Sequence, residues 1–143
     1  MKLLESLHKN ATLLEPIAHI ISNEDHRAII DLRDKPPRIE PETLAEKISE
    51  SHLNLLKGAE VNFVANDPSF GGVLFEKSGV GIGISGSSTG YIYSHTTLNI
   101  EESDDLYSAF KNQKENLSLV DGSSDIKLVQ PAIKNWWLYI ETF

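Results

Sequence analysis

The residues best suited to chemistry lie in a glycine- and serine-rich stretch, residues 71–97, which contains Ser85 and His95. A serine hydroxyl becomes a nucleophile when a histidine removes its proton and a third group orients the imidazole. A hairpin could bring these two side chains together. However, Gly83-Ile84-Ser85-Gly86-Ser87 departs from G-x-S-x-G, because the second glycine comes one residue early and no helix pattern follows. A small hydrolase or ligand-binding domain that uses Ser85, His95 and the glycine loop is therefore the alternative hypothesis.

The same stretch also contains G-x-G-x-x-G, formed by Gly81, Gly83 and Gly86. In the dinucleotide-binding motif a helix must follow at once, because its N-terminal amides bind the pyrophosphate. Loop and strand formers follow here instead, so we predict no cofactor. We interpret the glycines as positions where another element approaches closely or the sheet bends. An exposed loop could instead present its amides and hydroxyls to a partner; its polar residues are Ser85, Ser87, Ser88 and Thr89.

The histidines predict no metal site. None of the five forms H-E-x-x-H, and the best grouping, His19 with Asp25 and His26, fits local hydrogen bonds at a helix entry. The chain has no cysteine, which excludes disulfides, thiolate metal sites and cysteine nucleophiles.

Negative charge dominates the chain and is concentrated in its second part. The net charge is −8, of which residues 1–57 carry −2 (8 basic, 10 acidic) and residues 58–143 carry −6 (5 basic, 11 acidic). A negative surface repels phosphates, so nucleic-acid binding is disfavoured. Solubility alone would explain this charge. A basic partner protein, steered in by the acidic part, is the sharper hypothesis.

The densest acidic run and two tryptophans complete the predicted partner surface. Glu101-Glu102-Ser103-Asp104-Asp105 fits a helix N-terminus, and if exposed it could receive lysines or arginines of a partner. Adjacent Trp136 and Trp137 would point to opposite faces of a strand, so both are core residues or one is exposed. An exposed aromatic residue beside carboxylates is typical of a binding hot spot. We assign to this surface, with the serine loop, Glu101, Glu102, Asp104, Asp105 and Trp136.

The first third of the chain predicts helices that would support this surface. Apolar residues recur at three- and four-residue steps from Leu3 to Ile21. Pro16 interrupts the stripe, so either one helix bends there or a helix ends near Leu14 and restarts. Ser22 then predicts a cap for a second helix over residues 23–34, although β-branched Ile29 and Ile30 leave a strand possible.

A third helix is predicted after Pro36-Pro37, which cannot continue a helix. It would begin near Pro41 and end at Lys57, with Gly58 as its stop. Its expected inward face consists of Leu44, Ala45, Ile48, His52, Leu55 and Leu56.

After Gly58 the apolar period changes from 3.6 to 2, which predicts an antiparallel meander. Val61, Phe63 and Ala65 should share one face of its first strand. A short helix from Ser103 to about Lys114 interrupts the strands. The predicted strands are residues 61–65, 72–77, 79–85, 90–97, 117–120, 126–130 and 136–143, with a loop at 86–89.

Segregated helices and strands predict an α+β fold, with the N-terminal helices on one face of a mostly antiparallel sheet. We expect one domain over residues 1–143, with the helical part at about 1–57 and the sheet part at about 58–143. The N-terminus lacks the apolar core of a signal peptide, and no run approaches the ~20 residues of a membrane helix, so we expect a cytoplasmic protein.

The leading functional hypothesis is a non-enzymatic bacterial binding protein that neutralises or accompanies a basic partner. In general type, though through no diagnostic motif, the chain resembles small toxin-immunity proteins, which would act by covering a toxin's active site or substrate surface. A third hypothesis is a subunit of a larger assembly that uses the meander edge for strand pairing.

Overall fold

The predicted α+β class is confirmed by a computed structural model, in which a long N-terminal helix and short helices accompany an antiparallel sheet. The structure describes residues 2–67, 71–77, 87–95, 101–102 and 127–142. That residues 1–143 form one domain stays a prediction. The helices are α1 (Lys2–Ser22), α2 (Glu42–Ala45) and α3 (Glu50–Gly58), and the strands are β1 (Ile29–Asp31), β2 (Arg38–Glu40), β3 (Val61–Asp67), β4 (Gly72–Lys77), β5 (Ser87–Tyr93), β6 (Glu101–Glu102), β7 (Lys127–Pro131) and β8 (Trp136–Thr142).

The described strands form one sheet in the order β2-β1-β3-β4-β5-β8-β7-β6. All neighbouring pairs are antiparallel except β6 with β7. The larger apolar cluster lies between the sheet and α1, whereas a smaller cluster that includes Leu74, Ile92 and Tyr139 lies on the other face. We call these the α1 face and the far face. Within the described residues, no helix combines the length and apolarity needed to cross a membrane.

Helix α1 is continuous through Pro16, so the one-helix alternative is correct. Pro16 lies on its exposed side, while Leu7, Leu14 and Ile21 are fully buried against the sheet. Burial of this stripe outweighs the backbone hydrogen bond that a proline inside a helix must lose.

The helix predicted over residues 23–34 is wrong, because β1 lies there between β2 and β3. The Ser22 hydroxyl donates to the Ala18 carbonyl, 2.8 Å away inside α1, rather than capping a new helix. The side-chain carbonyl of Asn66 in β3 instead accepts from the Ala28 amide at 2.7 Å. Pairing with distant strands therefore makes this segment a strand, the alternative that the β-branched residues Ile29 and Ile30 had indicated.

The single helix predicted over residues 41–57 is also wrong, since α2 and α3 are separate. Ser49 begins α3 with a reciprocal cap: its hydroxyl accepts from the His52 amide, and His52 Nδ1 accepts from the Ser49 amide at 3.0 Å. His52 therefore serves the cap, and Ala45 is exposed, so neither belongs to the predicted inward face.

Strand β3 is confirmed at its predicted place, but Val61 and Phe63 do not share one face of it as predicted. The pairing with β4 shifts between Val61 and Phe63, so one extra residue is inserted there. Val61 and Val64 consequently pack on the α1 face, whereas Phe63 lies on the far face. A slip of one residue reverses which side chains a strand buries.

Strand β5 begins earlier than predicted, because Ser87, Ser88 and Thr89 belong to the strand rather than to a loop. It pairs directly with β4 and with β8. At Gly90 a Cβ atom would overlap the Phe75 carbonyl oxygen and meet Tyr139 Cε1 at 3.0 Å. Gly81, Gly83 and Gly86, for which a close approach or a bend was predicted, lie outside the described residues. Outside the described residues lie the predicted strands 79–85 and 117–120, residues 96–97 of the predicted strand 90–97, and the predicted helix from Ser103.

A buried amine joins α1 and α3 to the sheet. Lys77 Nζ donates to the Ala59 carbonyl at 2.7 Å, at the C-terminal cap of α3, and to Ser6 Oγ at 3.1 Å. The Tyr91 hydroxyl also donates to Ser6 Oγ. Burial lowers the pKa of Lys77 and raises that of Tyr91. The helix C-terminus favours a cation at this position, so we assign the group a structural role.

Candidate functional site

The structure assembles a polar cluster around the predicted residue His95, at the junction of α1 and the end of β5. Glu15 and His19 lie one helical turn apart on α1, so they share one side of it. His95 follows Tyr93, the last residue of β5, by two positions, and the centroids of their rings are 5.1 Å apart. Packing of α1 on the sheet brings the two pairs together.

The Tyr93 hydroxyl is the centre of this cluster. It lies 3.2 Å from Nε2 of both His19 and His95, and 3.5 Å from Glu15 Oε1. His19 Nε2 also lies 3.5 Å from Glu15 Oε1. Because the phenol has one proton, it can donate to only one of these neighbours. An imidazole that receives no proton from it must donate its own N–H, so the cluster fixes at least one histidine tautomer or charge.

Burial, reinforced by the negative charge of Glu15, raises the pKa of Tyr93. The phenol therefore stays protonated at neutral pH, while His19 and Glu15 remain about half exposed and His95 is exposed. Two solvent-accessible imidazoles on one neutral phenol can supply a proton acceptor and a proton donor to a bound molecule.

The sequence analysis named two members of this cluster, His19 and His95, but did not place them together. The predicted grouping of His19 with Asp25 and His26 does not form: His19 contacts Tyr93 and Glu15, whereas His26 offers its carbonyl to Asn66 Nδ2 at 3.0 Å. E-x-x-x-H and Y-x-H were the available local signals. Ser85 lies outside the described residues, so the Ser85–His95 pair stays a prediction.

The acidic part of the predicted partner surface lies at one end of the sheet. Glu101 and Glu102 form β6, the last strand in the described order, and Glu102 is exposed. They therefore precede any helix at Ser103, and Asp104 and Asp105 lie outside the described residues.

The serine part of that surface belongs to the interior strand β5. Ser87 and Ser88 pair with Thr142 and Glu141 of β8, and Thr89 is buried. The buried Thr89 side chain therefore cannot belong to an exposed loop.

The two tryptophans do lie on opposite faces. Trp136 is 2% exposed and packs against Phe75, Tyr91 and Tyr93, with ring centroids 5.0–6.4 Å apart. Trp137 is partly exposed on the far face, and its Nε1 has no hydrogen-bond partner among the described residues. A buried indole presents no surface, so Trp137 rather than Trp136 is the tryptophan that a partner can contact.

Within the described part of the chain, no three histidine or carboxylate side chains are grouped to hold a metal ion. No protein-family model matches this chain, and no curated protein or solved structure is significantly similar to it.

Proposed function

We propose that this chain is a small cytoplasmic binding protein of the bacterial toxin-immunity type, which neutralises a basic toxin by binding it directly. The observation that carries the proposal is the position of Glu101 and Glu102 in β6, at the end of the described sheet. In general the terminal strand of a sheet offers unpaired backbone groups. The last strand in the described order, β6, also carries carboxylates. A basic segment of a partner can form backbone hydrogen bonds with such a strand and ion pairs with its carboxylates.

The sheet register adds an aromatic residue to this edge. Glu102 is level with Val129 of β7, and Val129 is level with Tyr139 of β8, on the far face. Trp137 lies two residues from Tyr139 on that same face. With strands ~4.8 Å apart, Glu102 and Trp137 are about 12 Å apart, well within one standard interface. Carboxylate and indole can therefore contact the same partner.

The test replaces four edge carboxylates with amides (Glu101→Gln, Glu102→Gln, Asp104→Asn, Asp105→Asn) and measures association with the basic toxin domain captured from the native host. We expect the association rate to fall roughly tenfold at low salt, because electrostatic steering acts mainly on encounter. The wild-type rate should fall as salt rises.

The matched control removes the same charge from the helical part. Glu5, Glu42, Glu46 and Glu50 are exposed, and their replacement by glutamine likewise changes the net charge from −8 to −4. A control variant that slows binding as much as the edge variant would show that overall charge, not the edge, attracts the partner. Binding indifferent to salt would contradict the proposal altogether.

The second candidate is a hydrolase in which His95 is the general base for Ser85. It is favoured by one observation: the Tyr93 hydroxyl lies 3.2 Å from His95 Nε2 and can orient the imidazole. Wild type should then hydrolyse activated esters, with a pH profile that Tyr93→Phe changes and His8→Gln, at an exposed α1 position, leaves unchanged. Full activity in both Ser85→Ala and His95→Gln would reject this function.

A further inference from the structure

A second site lies at the opposite end of the described sheet, in a pocket of about 350 Å³ formed by β1, β2, β3 and Arg27, two residues before β1. Its size falls at the lower end of the range for small-molecule sites. Apolar Ile29 and Phe63 lie among three charged side chains. The lining residues are Arg27, Ile29, Arg38, Glu40 and Phe63.

A charge network positions one side of this pocket. Asp31 accepts hydrogen bonds from Arg33 Nε at 2.9 Å and Nη2 at 3.0 Å, and the Arg33 guanidinium lies 5.2 Å above the Phe63 ring. Arg38 extends toward the same carboxylate, with Nη2 3.8 Å from Asp31 Oδ2, and toward Asp34 at 3.6 Å. Phe63 therefore lies beneath a hydrogen-bonded guanidinium, and the charges of Asp31 and Asp34 attract Arg38 to this side of the pocket.

The other two charged side chains that line the pocket have no partner in the part of the chain that the structure describes. The side chains of Arg27 and Glu40 make no hydrogen bond or ion pair within the described residues. Arg38 and Glu40 are two residues apart on β2, so their Cα atoms are separated by ~6.7 Å on one face of the strand. A positive and a negative group thus stand side by side at the pocket.

We propose that this pocket binds a small zwitterion, an α-amino acid with an aromatic or large apolar side chain. Its carboxylate pairs with Arg27 and Arg38, its ammonium with Glu40, and its side chain lies on Phe63 and Ile29. Guanidinium groups suit a carboxylate because their N–H donors match its two oxygens. A multiply charged anion such as a phosphate is disfavoured by the net charge of −8, whereas a zwitterion is not.

The experiment is calorimetric titration of the full chain at pH 7 with L-phenylalanine, 3-phenylpropionate, which lacks the ammonium, and 2-phenylethylamine, which lacks the carboxylate. We expect phenylalanine to bind at least tenfold more tightly than either partial analogue. Arg27→Ala and Glu40→Gln should each weaken phenylalanine binding at least fivefold. Both residues are exposed and unpaired in the described structure, so circular dichroism should stay that of wild type.

The matched control is Lys35→Ala, an exposed cation of the same region that does not line the pocket. Unchanged affinity in this variant supports the site. Three results would each overturn the proposal. One is phenylpropionate binding as tightly as phenylalanine, and another is an equal loss of affinity in Lys35→Ala and Arg27→Ala. The third is no heat of binding up to about 10 mM phenylalanine, a concentration that corresponds to a binding free energy of about −3 kcal/mol. The β6 edge variants test partner binding separately, because β2 and β6 are at opposite ends of the sheet.

Discussion

Replacing Asp31 with asparagine should weaken the fold measurably while changing almost no volume. The carboxylate is 7% exposed and accepts three hydrogen bonds from Arg33: from the backbone amide, Nε and Nη2, at 2.9–3.0 Å. An asparagine oxygen can keep part of this set. Its NH₂ group, however, must then face a guanidinium N–H, donor against donor.

The expected loss is about 2 kcal/mol in the free energy of unfolding. Hydrogen bonds to charged groups contribute roughly 1.5–3 kcal/mol, and the lower part of this range applies because Arg33 is 53% exposed and can be rehydrated. With about 2.1 cal/mol/K per residue, a chain of 143 residues has an unfolding entropy near 0.3 kcal/mol/K. The melting temperature should therefore fall by about 7 °C.

The dependence on pH identifies the cause. Hydrogen bonds from Arg33 hold the pKa of Asp31 below its ordinary value, so the stabilisation is complete above about pH 4 and is lost as the pH falls through the lowered pKa. Urea unfolding should show a constant gap between wild type and Asp31→Asn from pH 5 to 8, and a shrinking gap below pH 4.

Asp34 supplies the control. It is 54% exposed and lies 3.6 Å from Arg38, so Asp34→Asn should cost less than about 0.5 kcal/mol. Equal losses in the two variants, or a gap that persists unchanged at pH 2, would refute the assignment of the stability to the Asp31–Arg33 hydrogen bonds.

Three further predictions concern the sheet. Gly90→Ala should lower the free energy of unfolding by about 3 kcal/mol or more, because the added Cβ would overlap the Phe75 carbonyl oxygen. Gly58→Ala should not destabilise the protein, because no atom lies within 4 Å of the added Cβ. Urea unfolding measures both variants, and equal effects would contradict the packing argument. Burial lowers the pKa of Lys77, so between neutral pH and pH 10 the folded state loses this proton at a lower pH than the unfolded state does. The wild-type free energy of unfolding should therefore rise over this range, and Lys77→Met should lack the rise that Lys77 contributes, as unfolding curves measured at several pH values will show. Trp136→Phe should cost about 1–3 kcal/mol in the free energy of unfolding. Trp137→Phe should cost less than about 1 kcal/mol, because the N–H that it removes has no hydrogen-bond partner among the described residues; the reverse order in urea unfolding would show that the tryptophan environments are misassigned.

Local sequence patterns were sufficient wherever one element could be judged by itself. The α1 stripe and the C-terminal strand β8 lie where periodicity and composition placed them. One error arose where a distant partner decides: the Ile29–Asp31 segment becomes a strand because β2 and β3 flank it. Another error was local. His52 leaves the helix face because it forms a reciprocal cap with Ser49, three residues earlier, and histidine is not the usual residue at this position of a capping box.

The candidate sites were less predictable than the fold for the first of these reasons. His95 was identified, but its neighbours Glu15 and His19 come from a helix more than 70 residues earlier in the chain. Only packing of α1 on β5 brings them to the Tyr93 hydroxyl. The Arg27–Glu40 pocket gave no motif at all, because its apolar and charged residues come from three strands and a connecting segment.

One inserted residue in β3 links the fold to that pocket. Strict alternation from Val61 would turn Phe63 toward α1, on the same face as Val61. The shift between them turns Phe63 to the far face instead, level with Asp31, where the Arg33 guanidinium lies over its ring. The position of Phe63 in the pocket lining therefore depends on one backbone irregularity. Bulges commonly re-aim side chains beside functional sites, and a deletion of Asn62 that restores alternation should remove the pocket while leaving the β6 edge intact.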